Sequence, residues 1–431
     1  MKVNQQRWWK MFVVAGAAMA LVAGMVATVP SVYAGGTIKG DDDKWISIGM
    51  GIRNSFSMRE DGSASGAQWS NDFAVDNARI YINGKIHKYV GFEFNTDCFN
   101  CPRSGQLAGG PTTNTFGSNS GVGLLDAIGK FEINDLVNVW FGRMLVPTER
   151  GELNGPFYHA VYDGFRTPLN PADFSTNFGA GGAGMYGRDN GVTFFGKIHP
   201  GGTHLQYVAG VFNGTRSALG GGDGPNQRNS LKYAGRLTWN LLNEEKNPGY
   251  YTSGTYYGTA GDILALAVGG EYQNAAAGSF ANPAPFGAVV SDILFEKVLE
   301  NKGVITVNAE YKRYWAGNLA SFSGPDATLF PIFGGTSFTT YAMYLFPNEV
   351  GIGRFQPYGR YTFVNSVHAS ALDEFEAGVN YVIAGHNARI STWWRHGNVG
   401  GPAQTGFFGL APTFVGPQQQ DSFHVALQLQ Y

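Results

Sequence analysis

Long apolar runs are missing from this chain after Ala34. No later stretch approaches the ~20 consecutive apolar residues of a membrane-crossing helix, which excludes a helical membrane bundle. Charge is also scarce: charged residues make up 14% of the chain and the formal net charge is -2, so nothing electrostatic points to a nucleic-acid partner. Cysteine is nearly absent, with only Cys98 and Cys101, in the order Cys-Phe-Asn-Cys. No His follows the second Cys, as haem attachment needs, and no further pair of ligands stands near enough for structural zinc. The surroundings also lack the βαβ context of a thioredoxin-like motif. What remains is a short Cys98–Cys101 disulfide clip in an exported loop.

Other signals of chemistry are weak. The eight histidines are scattered and none has metal-binding spacing, so neither a metal nor a cofactor is expected. Gly179-Ala180-Gly181-Gly182-Ala183-Gly184 fits a dinucleotide fingerprint only as a string, because it leads into a strand and not a helix N-terminus. GDDDK at 40–44 lacks the glycine and closing glutamate of a calcium loop and reads as a solvated tail near the mature N-terminus.

Glycine (62) and aromatics (31 Phe, 21 Tyr, 9 Trp) are abundant instead. So many aromatics exclude disorder, and glycine plus aromatics spread over short alternating segments is a β-barrel composition. Residues 1–34 have the parts of a cleaved leader: the basic MKVNQQRWWK, an apolar stretch, and Val32-Tyr33-Ala34 before the cut. Residues 35–431 then form one domain outside the cytoplasm. Alternation predicts sixteen strands, near 45–58, 73–86, 89–97, 121–133, 136–146, 188–198, 203–213, 230–241, 261–274, 289–299, 303–315, 335–347, 352–364, 371–383, 387–396 and 421–431. Connections alternate between short and long, as between the periplasmic turns and extracellular loops of an outer-membrane barrel. Two break the rule: 242–260 is too long for a turn and 365–370 too short for an outer loop.

Side-chain parity decides which face looks where. Arg79, Tyr81, Asn83 and Lys85 share one side of their strand, and Ala78, Ile80, Ile82 and Ile86 the other. A closed sheet of sixteen strands is too wide for side chains to fill, so the polar face borders a wet lumen and the apolar face meets lipid. The expected fold class is therefore an all-β transmembrane antiparallel β-barrel. Trp45, Tyr89, Trp140, Trp315, Tyr341 and Trp394 suit interfacial girdles. Parity places Arg53, Arg79, Lys85, Lys232, Arg236, Lys312, Arg360, Arg389 and Arg395 on the lumen face, against Glu93, Asp97, Glu310, Glu374 and Glu376. That basic excess implies a mild preference for anions.

DFAVDNARIYINGKIHKYVGFEFNTD and VNVWFGRMLVPTERGELNG resemble two segments of the phosphate-selective porins O and P. The resemblance implies sixteen-stranded homotrimeric channels in the outer membrane of Gram-negative bacteria. It also implies a third loop folded into the pore, here 147–187, with Arg150, Glu152, His159 and Arg166 at the constriction. The terminal Tyr431 looks like the aromatic that barrel-assembly machinery reads. The family's lysine cluster is missing from this loop, so phosphate selectivity is not carried over. The expected activity is passive diffusion of small hydrophilic or anionic solutes, with outer-membrane lipid as the surroundings. A barrel sheathing an electron-transfer partner and an outer-membrane enzyme are the rivals. The enzyme would need a nucleophile, a base and an orienting group that parity cannot bring together.

Overall fold

The computed structural model describes residues 36–41, 43–63, 68–101, 122–163, 187–214, 230–278, 281–316, 335–366, 371–398 and 419–431. Seventeen strands follow in order: β1 (Gly36–Asp41), β2 (Lys44–Arg59), β3 (Ser70–His87), β4 (Val90–Cys101), β5 (Gly123–Glu132), β6 (Asn138–Leu145), β7 (Arg188–Ile198), β8 (His204–Phe212), β9 (Lys232–Asn240), β10 (Ile263–Gly278), β11 (Pro283–Val298), β12 (Val304–Ala316), β13 (Gly335–Leu345), β14 (Arg354–Ser366), β15 (Leu372–Val382), β16 (Ala388–Gly397) and β17 (Gln420–Gln430). Among the described residues, one short helix, α1 (Arg150–Asn154), lies between β6 and β7.

Strands β2 to β17 each pair antiparallel with the next, and β17 returns to β2 through Gln430↔Gly51 to Ser422↔Arg59. The ring of β2 to β17 closes, so these strands pair on both sides as hydrocarbon requires. All sixteen expected strands are present. The seventeenth, β1, is not among the strands expected from sequence, and it runs into the start of GDDDK, expected as a solvated tail. It is exposed along its length, and it pairs with the part of β2 that β17 leaves free, Ile38 opposite Ile46.

Two other expectations change. The loop expected at 275–288 is mostly strand, because β10 and β11 run on as a long hairpin to Gly278↔Pro283. The strand β4 continues to Cys101, so the two cysteines sit on a strand backbone and not in a loop; their side chains lie outside the described ones. Only five residues separate Ser366 from Leu372, and 241–262 is long because it folds into the barrel.

Alternation sets the faces. Along β9, Lys232, Ala234, Arg236, Thr238 and Asn240 are buried while Tyr233, Leu237 and Trp239 are exposed. In β3, Arg79 is buried and its neighbour Ile80 is 47% exposed. The apolar side of the wall faces outward, where a lipid would cover it, and the charged side faces inward. This is the transmembrane barrel fold. Of the aromatics assigned to girdles, Tyr89 and Trp315 are exposed, but Trp140 and Tyr341 are buried inside and Trp45 borders an inner cavity. They turn inward because the lumen offers them something to pack on: the rings of Tyr250 and Tyr251 lie 5.3 Å from that of Trp140.

Candidate functional site

Two stretches of the chain occupy the lumen. Residues 146–163 enter from the long-loop end, between β6 and β7, and 241–262 enter from the short-turn end, between β9 and β10. The first touches strands from around the ring. Its carbonyls at Phe157, His159, Ala160, Tyr162 and Asp163 accept hydrogen bonds from Gln428 on β17, Arg389 on β16, Asn380 on β15, Arg53 on β2 and Arg360 on β14. A segment reaching so many strands of a closed ring can only be inside it. Irregular backbone at that depth leaves polar groups with no ladder partner, so the wall must supply partners.

The wall divides that work by charge. Guanidiniums take the carbonyls of the first stretch: Arg389 Nη1 reaches His159 O at 2.7 Å and Ala160 O at 2.9 Å. A carboxylate takes the amides of the second. Glu296 on β11 accepts from Tyr256 N at 3.0 Å, Gly258 N at 2.7 Å and Thr255 Oγ1 at 2.7 Å. The stretches also meet each other, through Gly254 N to Tyr158 O at 2.9 Å and Thr252 Oγ1 to Asn154 Oδ1 at 2.7 Å.

One residue ties both stretches to the wall. Arg150 opens α1 and is 1% exposed. It donates to both oxygens of Glu245 on the second stretch, at 2.7 and 2.8 Å, and through Nε to Asp292 on β11 at 2.8 Å. Asp292 also accepts from Arg236 on β9, at 2.6 and 2.9 Å. Arg236 in turn donates to Thr148 O at 3.0 Å. On the next strand Lys312 pairs with Glu149 and with Glu310, and Glu310 accepts from the Gly151 amide at 3.1 Å.

The inward residues expected from sequence fall as follows. Arg53, Arg79, Glu93, Lys232, Arg236, Lys312, Arg360, Arg389 and Arg395 are buried on the inner side, and Lys85 borders the cavity described below. They are held in pairs and networks: Arg79 with Asp97, Lys130 with Glu93, Lys232 with Asp189 and Glu271, and Arg360 and Arg395 with Glu374 and Glu376. Of the loop residues, Arg150, Glu152 and His159 are buried in the lumen, and Arg166 lies outside the described residues.

Sequence reasoning missed the acids. Asp126, Asp189, Glu271, Asp292 and Glu296 are all buried inside, along with Glu149 and Glu245 of the inserted stretches. Among the described buried residues, thirteen carboxylates face ten Lys and Arg side chains, so the basic excess counted from sequence disappears. Asp292 and Glu296 lie on the expected strand 289–299, but they share a face with Val290 and Leu294, so neither side of that strand reads as polar.

Ser253 and His386 come within 3.1 Å, but this is not a nucleophile and its base. His386 Nε2 also lies 2.8 Å from the Thr255 carbonyl oxygen, which requires that nitrogen to carry the proton. Burial, with the Arg389 guanidinium adding to it, holds the imidazole down at about 3. The folded-state value is below the unfolded one, so between about pH 6.5 and 3 the unfolded chain takes up a proton that the fold refuses. Stability is then lost on acidification, by about 1.4 kcal/mol per unit. Against His386→Gln, the wild type in detergent should show the steeper fall in melting temperature from pH 7 to pH 4. Parallel curves would contradict this.

A cavity of about 810 Å³ remains at the short-turn end, between the wall formed by β2 to β5 and the tips of both stretches. Among the described residues no cluster suited to a metal ion occurs.

No family model and no curated relative matches the chain. Among solved structures it is similar to the anion-selective porin from Comamonas acidovorans, with 12% identity and a TM-score of 0.51 over 90% of this chain and 99% of that one. The outer membrane channel DcaP of Acinetobacter baumannii matches at 12% identity and a TM-score of 0.49, over 93% of this chain and 100% of that one. OmpT of Vibrio cholerae in its trimer form matches at 11% identity and a TM-score of 0.48, over 90% and 100%. In fold, as the first of these likenesses shows, the chain is a sixteen-stranded antiparallel β-barrel resembling a bacterial outer-membrane porin.

Proposed function

We propose that this protein is a porin of the bacterial outer membrane, exported by the leader at 1–34, that passes small hydrophilic solutes by passive diffusion. The observation that carries the reading is a closed ring with apolar side chains outside and ionised ones inside, narrowed by two stretches of its own chain. Such a lumen is polar, wet and restricted, which is what a sieving channel needs. The loop at 147–187 is its constriction, through residues 146–163. The second constriction element is 241–262.

Ion discrimination is weak in this proposal. The mild anion preference expected from sequence rested on a basic excess that the buried acids cancel, and most inner charges are engaged with each other or with inserted backbone. The finer likeness to the phosphate-selective porins O and P stays with the two sequence stretches that resemble them. Homotrimeric assembly belongs to the same proposal. A sheath for an electron-transfer protein is disfavoured, because the lumen already holds two segments of this chain. Catalysis is disfavoured by the tautomer of His386.

Planar-bilayer recording of the folded full chain tests the proposal. Discrete steps, grouped in threes, with a reversal potential near zero in a salt gradient are expected. Absence of steps from correctly folded protein would overturn it.

A further inference from the structure

We infer that the cavity at the short-turn end is a binding site for small aromatic carboxylates; as a station for a passing solute, it rests on the channel reading. Its volume of about 810 Å³ is in the range of small-molecule sites. Two independent features choose the ligand.

The first is a pair of guanidiniums facing one open spot. Arg79 is 6% exposed and borders the cavity. Its Nε is committed to Asp97 at 2.7 Å, and Nη1 is the nitrogen nearest the open spot. Arg188 borders the same cavity, with Nε and Nη2 both on Asp126, at 3.1 and 3.5 Å. Gly155 ends α1 between them at φ 58°. An atom where its Cβ would stand lies 3.9 Å from Arg79 Nη1 and 4.0 Å from Arg188 Nη2. Glycine keeps that place empty, and a carboxylate there would meet both cations. Asp97 and Asp126 already offset most of the charge, so the spot suits a monoanion better than a phosphate ester or a polyanion.

The second feature is a surface of rings. Tyr81, Phe92, Tyr158 and Tyr251 border the cavity. Rings offer a flat apolar ligand edge and face contacts. An inorganic anion would use neither.

The test is calorimetric titration of the detergent-folded full chain with benzoate, acetate, benzyl alcohol and inorganic phosphate. Benzoate should bind at one site, about tenfold or more tighter than acetate, the gain from burying a phenyl ring. Benzyl alcohol and phosphate should both be weaker than benzoate. Arg79→Gln should weaken benzoate by about tenfold, the loss of one charge-assisted contact. Because Arg79 also holds Asp97, Tyr251→Ala serves as a second variant, expected to weaken benzoate and leave acetate unchanged. Equal binding of acetate or phosphate would overturn the inference in favour of a plain anion site, and equal binding of benzyl alcohol in favour of an apolar hollow. The readout needs no conduction: protein that conducts but does not bind benzoate overturns this inference and leaves the channel standing. Protein that binds benzoate but never conducts does the reverse.

Discussion

Arg150→Ala is expected to loosen both inserted stretches at once and to widen the channel. The side chain joins Glu245 on one stretch and Asp292 on the wall from its seat on the other, and removing it leaves Glu245 buried with one remaining partner, Tyr256. Breaking a buried pair from one side costs about 3–5 kcal/mol, most of it from stranding the partner's charge. The wall ladder does not depend on this residue, so the barrel should still fold and insert. In bilayers the variant should show larger and noisier steps than wild type. Arg150→Lys should be intermediate, because an ammonium cannot bridge two carboxylates with the fork geometry of guanidinium. An unchanged step size would mean that the inserted stretches do not limit flow.

Leu237→Arg should have the next largest effect, on insertion and not on conductance. Leu237 is 48% exposed in the middle of β9, between the buried Arg236 and Thr238. If that face meets acyl chains, an arginine there costs about 2–4 kcal/mol near the bilayer midplane. Folding into phospholipid vesicles, followed by the heat-sensitive mobility shift of folded barrels, should give a sharply reduced yield. A yield equal to wild type would place Leu237 against water or protein.

The strands were legible because a two-residue period survives any context: FAVDNARIYINGKI and KYAGRLTWN state their inner and outer faces outright. The asymmetry of the connections was legible for the same reason. The filling of the lumen was not. Residues 241–262 announced themselves only by being too long for a turn, and NPGYYTSGTYY carries no periodic signal. What holds that stretch is Glu296 and Arg150, distant in sequence and brought together by closure of the ring. The charge balance failed for a related reason. Asp292 and Glu296 share their face of β11 with Val290 and Leu294, which hides the polar side, and Glu149 and Glu245 become lumen charges only because their segments turn inward. Trp140 shows the limit most clearly. Sequence places it near a strand end and suggests an interface, whereas in the fold it packs on Tyr250 and Tyr251 of the inserted stretch.

The orientation of the wall underlies everything else, and nitroxide scanning in reconstituted vesicles tests it most directly. In a Cys98→Ser, Cys101→Ser background, labels replacing Ile80 and Leu237 should be relaxed by oxygen dissolved in the acyl chains. Labels replacing Asn83 and Lys85, which border the inner cavity, should be relaxed by a water-soluble nickel chelate. The opposite pattern, with nickel reaching Ile80 and Leu237 and oxygen reaching Asn83 and Lys85, would contradict the account at its root.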